Sequence, residues 1–242
     1  MPMLVVCLPT YNERENLERM VRALGSVFAD QALHGRVLVI DDGSPDGTGR
    51  IADRLAEELC WVSVLHRPSK QGLGPAYLAG FARALGDGAE LILEMDCDFS
   101  HDPVDVPRLV QAAAGADLVL GSRYVPGGGT RNWGVVRRAI SRGGCLYAQG
   151  LLGLPLRDLT GGFKCFRRVV LETIALDRIH SKGYAFQIET TYRAILAGFR
   201  VVEVPITFVD REVGGSKMSR SIVLEAAWRV PVLRTRALFG RL

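Results

Sequence analysis

Five short apolar runs of strand character recur in the first 121 residues, at 3–8, 36–40, 61–65, 91–95 and 117–121. Between them lie stretches of helical character, at 12–28, at 51–59, from near Pro75, and at 105–114. Unbroken runs such as Leu91-Ile92-Leu93-Glu94-Met95 suit strands covered on both faces, so the alternation predicts an α/β fold with a mostly parallel sheet and helices on both sides. In the first helical stretch Leu17, Met20, Val21, Leu24 and Phe28 share one face. Asn12 is expected to cap it, with Glu13 and Glu15 in the first turn, where the helix dipole favours acids.

The second half is less regular. Residues 135–152 form an amphipathic pattern in which Arg137, Arg138 and Arg142 flank an apolar face. A short strand is expected at 163–166, a helix at 185–196, and an extended segment at 201–209 broken by Pro205. Residues 219–242 read as a helix interrupted by Pro231. No repeat or linker divides the chain, so one domain is expected over 1–242, with 211–242 a mobile loop followed by a basic amphipathic segment.

Charge and thiols narrow the class. Thirty bases against 26 acids give a net charge of +4, too mild for a protein that coats nucleic acid. The excess gathers after Val209, where Arg211, Lys217, Arg220, Arg229, Arg234, Arg236 and Arg241 face only Asp210, Glu212 and Glu225. That pattern suits acidic ligands or an anionic membrane surface. The five cysteines are scattered, with no C-x-x-C, which predicts reduced thiols in a cytosolic setting and no zinc ribbon. The immediate entry into a strand leaves no signal peptide to expect. No stretch reaches the roughly 18–20 apolar residues of a membrane span, so a soluble or peripheral protein is expected.

Polar clusters follow the strands, at the edge where open α/β sheets bind ligands. Pro9-Thr10-Tyr11-Asn12-Glu13 is either a turn with a cap or a nucleoside site, Tyr11 stacking on a base and Glu13 accepting from ribose or base edges. At Asp41-Asp42 a carboxylate can hold a base or ribose hydroxyl, while Ser44 to Gly47 is ordinary turn chemistry. Asp96-Cys97-Asp98 is an acidic loop or a metal site; two adjacent carboxylates repel, and hard oxygen donors suit Mg²⁺ or Mn²⁺ and a diphosphate substrate. Glu94, inside the strand, is expected to meet a polar partner or solvent. Arg211 and Lys217 bracket two glycines and can close on a diphosphate, and Arg123 stands at another strand end.

Other chemistries lack their residues. Lys70-Gln71-Gly72-Leu73-Gly74 misses the Walker spacing, the histidines show no metal spacing, and hydrolase, metalloprotease and dinucleotide motifs are missing.

Taken in order, Leu8 to Asn16, Asp41 to Thr48, Met95 to His101, Gly121 to Tyr124, Asp158 to Phe163, Ser181 to Gln187 and Arg211 to Lys217 resemble the inverting family 2 glycosyltransferases of GT-A (Rossmann-like) fold. Within that family the resemblance is to the dolichol- and polyprenol-phosphate mannose synthases. It implies that Pro9, Tyr11, Glu13, Ile40 and Asp42 hold the guanosine of GDP-mannose. It also implies that Asp96 and Asp98 bind Mg²⁺ or Mn²⁺, with the Cys97 backbone beside the nucleotide. Arg211 and Lys217 then close over the diphosphate and Arg123 contacts the acceptor phosphate, helped by Arg131, Arg137 or Arg138. Cys97 departs from the alanine usual in the family. The acceptor implied is a polyprenyl or dolichyl phosphate at the cytoplasmic face of a membrane, reached peripherally or through a membrane partner. A phosphate monoester with a second pKa of about 6 needs no strong base, in keeping with the lack of a catalytic histidine. A sister enzyme using another donor such as UDP-glucose, or a non-catalytic nucleotide-binding subunit, are the alternatives.

Overall fold

The computed structural model describes residues 2–210, 220–240 and 242. The first half follows β1 (Leu4–Thr10), α1 (Leu17–Asp30), β2 (Gly35–Asp41), α2 (Thr48–Glu58), β3 (Val62–His66), α3 (Leu73–Gly86), β4 (Leu91–Glu94), α4 (Val106–Ala112) and β5 (Leu118–Ser122). The second half adds β6 (Gly129–Arg131), α5 (Val135–Leu152), β7 (Lys164–Arg167), α6 (Arg168–Thr173), α7 (Gly183–Leu196), β8 (Val201–Pro205), β9 (Thr207–Val209) and α8 (Arg220–Leu238). The main sheet runs β3-β2-β1-β4-β7-β5-β8. Its pairings are parallel except where β7 lies antiparallel to β4 and β5. A small parallel pair, β6 with β9, stands beside it.

β1, β2, β4 and β5 are buried on both faces, and their alternate residues build two cores. Val5, Cys7, Leu38 and Ile40 pack with Tyr77, Phe81 and Phe186 on one side. Leu4, Val6, Leu8, Val37 and Val39 pack with Leu17, Met20, Val21 and Leu24 on the other. The register of β1 against β2 and β4 aligns Thr10 with Asp41 and Cys7 with Glu94, so the loops after these three strands open on one edge.

Three local expectations are corrected. The first helix begins at Leu17 with Asn16 as its N-cap residue. Asn12 instead takes a left-handed conformation (φ 58°) and donates its N–H to Ser44 Oγ, 3.0 Å away. Glu13 and Glu15 therefore precede the helix, and Glu18 is the acid of its first turn. Pro231 does not interrupt the last helix, which runs through it. A proline lacks the N–H that would bond the carbonyl four residues back. That carbonyl belongs to Ala227, and the Tyr147 hydroxyl of α5 donates to it at 2.8 Å. Val230 and Leu233 bury α8 in the core, so tertiary packing holds the helix across the proline.

Candidate active site

A cavity of about 470 Å³ opens at the carboxyl ends of β1, β2, β4 and β5. Of the residues expected to act, Pro9, Tyr11, Glu13, Asp42, Asp96, Cys97, Asp98 and Arg123 all line it. Ile40 does not. Its side chain is fully buried in the core and its Cδ1 points at the backbone of Gly80, because alternation along β2 turns it beneath the sheet. Only its carbonyl faces Thr10, whose Oγ1 donates to it at 3.4 Å. Arg211 and Lys217 lie outside the described residues.

At the β1–β2 end the paired aspartates separate. Asp41 is turned into the following loop, where Ser44 donates through Oγ at 2.5 Å and through its N–H at 3.2 Å. Asp42 stays in the cavity wall and pairs with the Arg67 guanidinium. Burial raises the Asp42 carboxyl above its ordinary value, and Arg67 opposes the rise. The Lys70 amine sits 4.3 Å from the centroid of the Tyr11 ring, a cation on a face that a base could share.

The β4 end carries the acidic pair. Asp98 Oδ1 accepts the Ser100 N–H at 3.0 Å, and the Asp96 N–H donates to His101 Nδ1 at 3.2 Å. His101 is buried, stacked on Phe163 at 4.9 Å and edge-on to Phe208 at 5.2 Å. Burial holds the imidazole pKa well below its ordinary value, with Arg123 adding to the fall, so it is neutral and able to accept. His101, for which the sequence showed no metal spacing, thus fixes the backbone of a site aspartate. The Ser100 hydroxyl is buried and lacks a hydrogen-bond partner among the described residues. Two carboxylates and an orphaned hydroxyl form a hard oxygen set that fits Mg²⁺ or Mn²⁺. No group of three His, Cys, Asp or Glu able to hold a metal occurs among the described residues. Ligand oxygens would therefore have to complete the coordination.

Glu94 is fully buried and meets polar partners, as expected of a carboxylate inside the strand. Burial pushes its pKa up to about 7, opposed by Lys164, its register partner on β7, and by a hydrogen bond from the Gln187 side chain. Burial lowers the Lys164 amine to about 8, opposed by Glu94 and Asp158. Lys164 was not singled out as a functional residue; a lone cation within Phe163-Lys164-Cys165-Phe166 was its only signal.

At the β5 end Arg123 is bound to the protein rather than turned loose into the cavity. Its Nε and Nη2 donate to the two Asp158 carboxylate oxygens at 2.7 and 2.6 Å, and Nη2 also to Thr160 Oγ1 at 2.9 Å. Of the three further arginines offered by the sequence, Arg137 alone lines the cavity. It pairs with Asp210 through Nη1 at 2.6 Å and lies 4.3 Å from the Trp133 ring centroid. Arg137 Nε and Trp133 Nε1 are buried donors without partners among the described residues. They form a place for an anion beside Arg123. Lys70, Trp133, Lys182, Tyr184 and Gln187 also line the cavity without a role read from sequence; Lys182, Tyr184 and Gln187 stood in a quoted motif, whereas Trp133 carried no local signal.

The sequence model described as glycosyl transferase family 2 matches residues 5–175. A polyprenol monophosphomannose synthase of Mycolicibacterium smegmatis is 53% identical over 229 residues, covering 93% of this chain and 84% of the relative. An undecaprenyl-phosphate mannosyltransferase of Micrococcus luteus is 51% identical over 223 residues, covering 92% and 90%. Among solved structures, glucosyl-3-phosphoglycerate synthase from Mycobacterium tuberculosis in complex with Mn²⁺, uridine diphosphate and phosphoglyceric acid superposes with a TM-score of 0.68. At 19% identity, over 95% of this chain and 78% of that one, this likeness speaks for the fold.

Proposed function

The chain belongs to glycosyl transferase family 2, and from that premise we propose that it moves mannose from GDP-mannose to a polyprenyl phosphate, giving a polyprenyl β-mannosyl phosphate. Its α/β fold is the one expected of a GT-A glycosyltransferase. The relatives named for mannosyl transfer to polyprenol and undecaprenyl phosphate support the acceptor and the sugar.

The observation that carries the reading is the order of groups along the cavity. By the strand order β2-β1-β4-β7-β5, Tyr11, Glu13 and Asp42 stand at one end, Asp96 and Asp98 at the middle, and Arg123 at the other, where Trp133 neighbours both Arg123 and Arg137. A nucleoside, a diphosphate and an attacking phosphate need this sequence of surroundings. Asp96 and Asp98 would hold Mg²⁺ or Mn²⁺, whose chemistry is to offset the charge of the departing diphosphate. Tyr11 offers the base a face, and Glu13 and Asp42 accept from base and ribose. Arg137 Nε and Trp133 Nε1 orient the acceptor phosphate, while Arg123, held rigidly by Asp158, adds positive potential behind it. Arg211 and Lys217 are assigned to closing over the diphosphate. An acceptor already ionised at neutral pH asks for placement more than for a base.

We place all of 1–242 in one catalytic domain that works at the cytoplasmic face of a membrane. No helix among the described residues is long and apolar enough to cross a bilayer. α5 exposes Val135 and Val136 and α8 exposes Trp228 and Leu238, beside arginines that suit an anionic lipid surface. Purified protein, Mn²⁺, a short polyprenyl phosphate and radiolabelled GDP-mannose or UDP-glucose test the reading by label in the organic phase. Label from GDP-mannose is the expected result; label from UDP-glucose alone assigns a sister donor, and none from either refutes transferase action on this acceptor.

A further inference from the structure

We propose that Gln187 contacts hydroxyl groups of the transferred hexose and sets which epimer the enzyme accepts. This assignment rests on the reading above, because it needs a sugar in the cavity. Its starting point is the strand order β4-β7-β5. The acidic pair follows β4 and Arg123 follows β5, so the strand between them is β7. With strands about 4.8 Å apart, β4 and β5 are separated by roughly 10 Å, the width of a hexose with a bond to either side. The anomeric carbon must lie between the leaving diphosphate and the attacking phosphate. The sugar therefore sits over the lead-in to β7, which is Gly161-Gly162.

Gln187 reaches this place from α7. The residue lines the cavity and is only 2% exposed, and its side-chain amide bonds to the buried Glu94 carboxyl. Its Oε1 has no hydrogen-bond partner among the described residues, and a buried carboxamide oxygen is seldom left unsatisfied unless something else completes it. With one N–H engaged by Glu94, the second N–H and the oxygen remain to match hydroxyls that give and receive. The groups around it are arranged to hold it there. The Gln187 main-chain carbonyl receives Lys164 Nζ at 2.6 Å, Thr191 Oγ1 at 3.0 Å and Thr190 Oγ1 at 3.2 Å. A Cβ at Gly162 would come within 3.3 Å of Gln187 Nε2, so glycine leaves the amide its room.

The test compares wild type with Gln187→Ala and Gly162→Ala, using GDP, GDP-mannose and GDP-glucose with Mn²⁺. Calorimetry reads binding, transfer kinetics read kcat/KM for each epimer, and thermal melting reads folding. For Gln187→Ala we expect GDP affinity to stay within about twofold, kcat/KM for GDP-mannose to fall about 10–100-fold, and the mannose-to-glucose preference to narrow. Gly162→Ala, which keeps the glutamine but crowds its amide, should narrow the preference in the same direction, and it carries the test should Gln187→Ala not fold. An unchanged epimer preference overturns the assignment, as does equal loss of GDP and GDP-mannose affinity, the mark of a structural role. A wild type that takes up no sugar nucleotide removes the underlying reading itself, a result visible before any variant is made.

Discussion

Arg123 and Asp158 grip each other at the wall of the cavity through two parallel hydrogen bonds of 2.7 and 2.6 Å, and the Arg123 N–H adds a third at 2.9 Å. Both side chains are almost wholly buried. Removing one partner of such a pair strands the other charge, so Asp158→Ala should destabilise the protein by about 3–5 kcal/mol. For a chain of this size that corresponds to a melting temperature lower by about 10 °C. Circular dichroism on heating reads it; an unshifted transition would mean that the guanidinium finds water.

The same pair sets an acid limit. Burial alone would raise the Asp158 carboxyl, but Arg123 outweighs it and holds the carboxyl below its ordinary value. A depressed carboxylate contributes stability that is complete above its unfolded pKa of about 3.9 and is lost as pH falls through the folded value. The pair's contribution should therefore hold on moving from neutral pH to about 5 and decline below about 4. Asp158→Asn should flatten that acid limb. Urea midpoints measured across the range give the answer, and a variant with the wild-type slope contradicts it.

Asp98→Ala should abolish transfer while leaving the fold intact. Its bond from the Ser100 N–H is worth about 1 kcal/mol, whereas loss of transition-state charge stabilisation costs at least about 100-fold in rate. Near-normal turnover with saturating Mn²⁺ would remove the metal from Asp98.

Lys217→Ala should lower turnover more than it weakens binding of free GDP, since the loop is assigned to the diphosphate as it departs. Stopped assays for kcat beside calorimetry for GDP separate the two; equal losses make Lys217 a plain binding residue.

Thiol titration checks the core. Cys60 is exposed, while Cys7, Cys97, Cys145 and Cys165 are buried. Burial drives the Cys165 thiol up to about 12, far from the reactive thiolate. An aromatic disulfide reagent should modify one thiol rapidly in the native protein and the other four only in denaturant. Rapid release from two or more would mean that a buried segment opens.

The residues that sequence made legible are those whose neighbours are local. Apolar runs and strand-end clusters lie within a few residues of one another, so Tyr11, Asp42, Asp96 and Asp98 could be placed on one edge by topology alone. The misses are long-range. Nothing near Lys164 says that it faces Glu94 across two strands, or that Gln187 closes over it from a later helix. Arg123 illustrates the intermediate case. Its position at a strand end was legible, but its partner lies 35 residues away. Ile40 shows that a strand residue beside a site can still point the other way, since alternation decides its side.

Pro231 acts on the neighbouring helix as well as on its own. By withholding one amide it leaves a carbonyl on α8 that only an outside donor can satisfy, and the Tyr147 phenol is that donor. A break in one backbone ladder has become a latch between two segments that also carry the outward-facing apolar side chains. Whatever surface those side chains meet will feel a coupled plate rather than two independent rods, and trimming a single oxygen atom from Tyr147 would loosen that coupling.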